Sequence, residues 1–186
     1  MSLLPLGLIS QGGSANGGGA FELISTQVLA SSASSVTFSS ISSTYKHLQL
    51  RFTAKSASAG GDNLRMQFNS DTANNYAVHY LTGSGSSVAS GNAVPWNTAL
   101  YAQMPSAAHT TDAFGAGIID ILDYGSTNKN KTIRNISGSA STFNIIALTS
   151  GVWLNTAVIT SLNVYMGTGS NIIAGSRFSL YGIRGA

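Results

Sequence analysis

From Phe21 onward, apolar and polar positions alternate with a period of two, and turn-forming residues recur about every dozen positions. That pattern predicts strands and no long amphipathic helix. In residues 45–55, Leu48, Leu50, Phe52 and Ala54 alternate with His47, Gln49, Arg51, Thr53 and Lys55, as in a strand with one buried and one wet face. Residues 63–69 repeat it, with Leu64, Met66 and Phe68 set against Arg65 and Gln67. Ala59-Gly60-Gly61-Asp62 reads as a hairpin turn between the two. Further runs lie at 76–81, 114–122, 131–137, 143–148, 158–166 and 177–183, with weaker ones at 21–29 and 36–41. The whole implies an all-β chain: a jelly-roll-like antiparallel β-sandwich of about ten strands formed by residues 21–186.

Two regions fall outside the alternation. Residues 84–113 show no clear strand pattern and read as a long loop, with Trp96 and Tyr101 as candidate contact residues. Residues 1–20 read as an extended arm: an apolar start carrying Leu3, Leu4, Leu6, Leu8 and Ile9, then a glycine-rich stretch from Gln11 to Gly19. An apolar peptide on a flexible tether is expected to dock on a neighbouring subunit and order there. No basic residue precedes it, and it is far short of the roughly 20 apolar residues of a membrane span, so neither a signal peptide nor a membrane contact is expected.

Some strands are apolar on both faces. Ile118-Ile119-Asp120-Ile121-Leu122 and Phe143-Asn144-Ile145-Ile146-Ala147-Leu148 offer a second apolar side that a sandwich leaves uncovered. A homo-oligomer is expected, with Ile119, Ile121 and Ile146 as candidate interface residues.

Composition sharpens the picture. Only 8% of the 186 residues are charged and 43% are hydrophobic, against a usual charged share of about a quarter. A surface so poor in charge suits a subunit that works in company. The net charge of +3 is a small imbalance among scattered residues. Lys129, Lys131 and Arg134 cluster on what reads as a solvated hairpin, and no nucleic-acid partner is expected. The absence of cysteine excludes disulfides, thiolate metal sites and a cysteine nucleophile.

The inventory for catalysis is thin. His47, His79 and His109 lie on three different segments, with no metal-ligand spacing among them. Asp120 and Asp123 are the only close carboxylates in that region, and their spacing puts them on opposite faces of a strand. The expected roles are structural, Asp123 capping its turn through backbone hydrogen bonds and Asp120 pairing with a strand cation. No calcium loop or phosphate loop is present, and the acceptor patterns at Asn130 and Asn135 read as chance matches. Trp153, in an apolar run, reads as core. The chain is expected to be no enzyme and to need no cofactor or metal.

Phe114-Gly115-Ala116-Gly117-Ile118-Ile119-Asp120-Ile121-Leu122-Asp123-Tyr124, Thr127-Asn128-Lys129-Asn130-Lys131-Thr132 and the terminal Gly175-Ser176-Arg177-Phe178-Ser179-Leu180-Tyr181-Gly182-Ile183 resemble a family of tailed-bacteriophage virion structural proteins. Tyr45-Lys46-His47-Leu48-Gln49-Leu50-Arg51 and Leu64-Arg65-Met66-Gln67-Phe68-Asn69 resemble strands of the same group. The resemblance implies a jelly-roll-like sandwich assembled as a homo-oligomer, commonly a trimer, on the particle surface, and it supplies no catalytic residues. Two functions fit it: a capsid decoration or cement protein binding the major capsid protein or another virion protein, and a fibre module binding a host surface glycan through Trp96 and Tyr101.

Overall fold

The computed structural model describes residues 19–99, 102–105, 107, 112–140 and 144–185. Leu3, Leu4, Leu6, Leu8 and Ile9 of the arm, and Tyr101 and His109 of the loop, lie outside the described residues. The described chain is all-β and forms two sheets. The larger contains, in spatial order, β1 (Phe21–Val28), β12 (Arg177–Ile183), β3 (His47–Ala54), β8 (Gly115–Leu122), β9 (Lys131–Ser139), β10 (Ile145–Trp153), β5 (Tyr76–Ser84) and β6 (Ser87–Trp96). The smaller contains β2 (Ser35–Phe38), β11 (Leu162–Met166), β4 (Asp62–Phe68) and β7 (Ala102–Met104).

The pairings are nested. β1 pairs with β12, β2 with β11, β3 with β8, and β4 with β7, all antiparallel. The chain therefore behaves as a long two-stranded ribbon whose successive segments fall alternately in one sheet and the other, which is the jelly-roll arrangement. Two hairpins interrupt this wrap. β5 with β6 and β9 with β10 both join the larger sheet, extending it past β8 by four strands.

Among the described residues twelve strands form, where the sequence pattern predicts about ten. The extra two, β6 and β7, lie in the stretch read as a loop. β6 is an edge strand whose side chains are mostly exposed on both faces, so Ser, Ala, Gly and Asn suffice along it and no alternation is written into the sequence. A second correction concerns 59–62, which joins no hairpin. β3 and β4 lie in different sheets, and the segment crosses between them. Its end is held by the buried carboxylate of Asp62, which accepts hydrogen bonds from Ser56 Oγ (2.6 Å) and Thr168 Oγ1 (2.7 Å), and from the backbone N–H groups of Asn63 (2.8 Å) and Thr168 (3.1 Å).

The core lies between the sheets, where the inward phases of the strands meet. Leu48, Leu50 and Phe52 of β3, Ile119 and Ile121 of β8, and Phe178 and Leu180 of β12 pack with Leu64, Met66 and Phe68 of β4. Gly117 is required here: a Cβ on it would stand 2.5 Å from Cζ of Phe52, so only a bare backbone admits the stacked Phe52–Phe178 pair, whose centroids are 6.2 Å apart. At the extended end Phe68, Tyr76 and Trp153 form an aromatic cluster, with Trp153 buried as its apolar run implies.

Candidate assembly face

The extension by β9, β10, β5 and β6 creates an outer sheet face beyond the jelly-roll core. Register and pleat decide what it shows. Ile118 of β8 lies opposite Ile136 of β9, Ile136 opposite Leu148 of β10, and Leu148 opposite Leu81 of β5. All four side chains point outward and are exposed by between 39% and 48%. Directly opposed residues on one face touch across the ladder, so these four form a continuous apolar stripe over four strands. Ile146, at 54% exposure, stands in the neighbouring row with Ala116, Gly138 and Gly83, and Val88 of β6 ends that row at 75% exposure.

Ala116, Gly138 and Gly83 carry little or no side chain. Between the walls of Ile118, Ile136 and Phe114 they leave an open apolar groove of about 860 Å³, with the Ile146 side chain standing in the floor row between Gly138 and Gly83. On the stripe's other side the face turns polar. Gln49 donates to Asp120 (2.8 Å), Arg51 Nε donates to Gln49 (2.8 Å), and Arg134 pairs with Asp120 (3.2 Å). Asp120 thus takes the strand cation expected of it.

Of the expected interface residues, Ile146 is on this face. Ile119 and Ile121 are not: both are fully buried, opposite Leu50 and Leu48 of β3. A strand apolar on both faces does not reveal which phase is inward; the registered partner does. Ile118, Leu148, Ile136 and Leu81 are the exposed members. Ile136 was legible, since it alone is apolar among Thr132, Arg134 and Ile136 on the wet phase of β9.

The other sequence candidates are dispersed. Trp96 is half-buried, with the guanidinium carbon of Arg65 4.8 Å from its ring centroid. His79 is exposed on this same outer face, opposite Ser150 in the polar row beside the stripe, and His47 accepts a hydrogen bond through Nδ1 from the backbone N–H of Asp123 (2.9 Å). Asp123 differs from its expected capping role. Its carboxylate pairs with Lys46 and Lys129, each at 2.9 Å, and the Lys129 ammonium first, then Lys46, holds it down at about 2. The turn is closed instead by the backbone, Ser126 N–H donating to the Asp123 carbonyl at 2.9 Å.

Lys131 is a further correction, because it is fully buried rather than solvated. Its ammonium donates to the carbonyls of Ser126 (2.5 Å), Lys129 (2.9 Å) and Thr156 (3.0 Å), and burial pulls its pKa below the ordinary lysine value. It ties the β8–β9 turn to the segment before β11. Asn135 is also buried, so the acceptor pattern there is inaccessible to glycosylation in the folded chain. Among the described residues no three His, Asp or Glu side chains gather as a metal ion would require.

No family model matches the chain, and no curated protein or solved structure matches it. What the face itself shows is an exposed apolar stripe and groove bordered by a hydrogen-bonded polar network.

Proposed function

We propose that the chain is a non-enzymatic structural subunit of a virion, a capsid decoration or cement protein that assembles as a homo-oligomer, a trimer by the resemblance, on the particle surface against the major capsid protein. The observation that carries this reading is the exposed ladder Ile118–Ile136–Leu148–Leu81. Monomeric proteins rarely expose contiguous apolar surface of this kind unless a partner covers it. The jelly roll, a recurrent architecture of viral capsid domains, and a charge content of 8% point the same way. A modest contact repeated over a lattice gains strength through avidity rather than through any one site.

The reading is tested on purified virus particles by quantitative mass spectrometry. The chain is expected at a fixed stoichiometry, and Ile136→Lys is expected to lower its occupancy several-fold while leaving the domain folded. Particles that lack the chain, or that carry the variant undiminished, would overturn the proposal. The glycan-binding alternative draws less support: Arg65 already stacks on the ring of Trp96, so a sugar would have to displace a cation–π contact.

A further inference from the structure

We propose that the groove over Ala116, Gly138 and Gly83 is the receptor for the N-terminal arm of a neighbouring copy of the chain. This deepens the assembly reading and rests on it. The groove is apolar and open, with Ile118 and Ile136 as one wall and Ile146 rising from its floor between Gly138 and Gly83. The arm has the matching chemistry. Laid out as an extended chain, Leu4, Leu6 and Leu8 fall on one side, with Pro5 and Gly7 between them, and proline favours that extended backbone in the residue before it. Three leucines at every second position span about 14 Å at ~3.4 Å per residue, and the floor row from Ala116 on β8 to Gly83 on β5 covers three strand intervals, about 14 Å at ~4.8 Å each, with Ile146 on β10 as the one bulky side chain within it.

The length and attachment of the arm favour a neighbour's groove over the chain's own. Phe21 opens β1 opposite Ile183, and Ile183 lies opposite His47, one residue beyond the Leu48–Ile121 pair. The arm therefore leaves at the Leu122 end of the sheet, whereas Ala116 and Gly138 stand at the other end of β8 and β9. From Phe21 to Ala116 is about 25 Å and to Ile146 about 31 Å, counting strand intervals across and residues along. The tether between Ile9 and Phe21, residues 10–20, is glycine-rich. Its r.m.s. span is about 18 Å, so reaching the chain's own groove requires it to be stretched past that span, to roughly 60–75% of its ~40 Å extended length. Reach to an adjacent subunit is set by how the subunits pack, and a head-to-tail exchange of arms gives a ring of identical contacts wherever the rotation between subunits closes.

The chain contains no cysteine, which makes disulfide trapping clean. Two full-length single variants, Leu6→Cys and Ile146→Cys, are mixed and oxidised. A cross-linked dimer is expected, several-fold above that formed when Ile146→Cys is replaced by Thr37→Cys, an exposed position on the smaller sheet. Ala116→Trp, which fills the groove, is expected to reduce the cross-link several-fold, and Leu4→Ser with Leu8→Ser in the arm to do the same. A yield equal to the Thr37 control overturns the proposal. So does a double variant, Leu6→Cys with Ile146→Cys, that closes only within one chain. Light scattering separates the two levels: an oligomer that persists without the groove cross-link removes the arm site and keeps the assembly reading, whereas a monomer in every variant removes both.

Discussion

Ile136 on β9 stands directly opposite Leu148 on β10, and both side chains point away from the core into the middle of the apolar stripe. Because neither contributes to the packed interior, charging them separates assembly from folding. The pair Ile136→Lys with Leu148→Glu keeps a favourable cross-strand contact and is expected to change stability by no more than about 0.5 kcal/mol. Multi-angle light scattering should show the parent chain as an oligomer and the double variant as a monomer with an unchanged melting curve. An oligomer of unchanged mass would show that the stripe is not the contact.

Asp62 supplies four hydrogen-bond acceptances from a fully buried position, joining the crossover after β3 to the turn after β11. Asp62→Ala leaves the hydroxyls of Ser56 and Thr168 without their acceptor, at about 3 kcal/mol or more, since hydrogen bonds to a charged group are worth roughly 1.5–3 kcal/mol each. Asp62→Asn keeps the shape and part of the acceptor capacity, so its loss in denaturant unfolding should be clearly smaller. Equal losses would mean that volume, rather than hydrogen bonding, is what the site needs.

The alternation in residues 45–55 and 63–69 announces β3 and β4 because each has one dry and one wet face, and β12 is visible for the same reason, whereas β8 shows as an apolar run in both phases. The sequence does not say that β3 and β4 belong to different sheets, since a crossover rich in Gly and Ser looks like a hairpin until Asp62 is seen reaching Thr168. β6 left no mark because an edge strand with few buried side chains selects no pattern. The candidate face was half legible. Its existence followed from apolar residues in both phases of β8 and β10, but its membership depended on register: Leu50 opposite Ile119 makes Ile119 core and leaves Ile118 outside.

Asp123 gives the clearest pH dependence. With Lys129 and Lys46 on its carboxylate, its folded value is lowered from an ordinary 3.8 to about 2. A carboxylate whose folded pKa is depressed contributes stability that is complete above its unfolded value and disappears as pH falls through the folded one. The melting-temperature gap between the parent and Asp123→Asn should therefore be constant above about pH 5 and close as the pH approaches about 2. Because the pair is solvent-exposed, the gap should be small and should shrink in high salt. A gap that widens on acidification would contradict the assignment.

Trp153 tests how the extension is anchored to the jelly-roll core. Its ring packs against Phe68 of β4, with centroids 5.7 Å apart, and against Tyr76 of β5 at 6.2 Å, while its Nε1–H donates to the carboxylate of Asp71 at 2.7 Å. Asp71 also receives Asn75 Nδ2 at 2.6 Å, and its carbonyl receives the Tyr76 hydroxyl at 3.0 Å. One side chain thus links both sheets and the β4–β5 connection. Trp153→Ala opens a cavity at the centre of this cluster and is expected to cost about 3–5 kcal/mol. Trp153→Phe retains much of the ring contact and forfeits the indole donor, and because Asp71 keeps its other donors the loss should fall at about 1–3 kcal/mol. If hydrogen exchange on the two variants shows loss of protection confined to β9, β10, β5 and β6, the extension unfolds apart from the core. Uniform loss across both sheets would instead make the two a single cooperative unit, with the assembly face as rigid as the jelly roll that carries it.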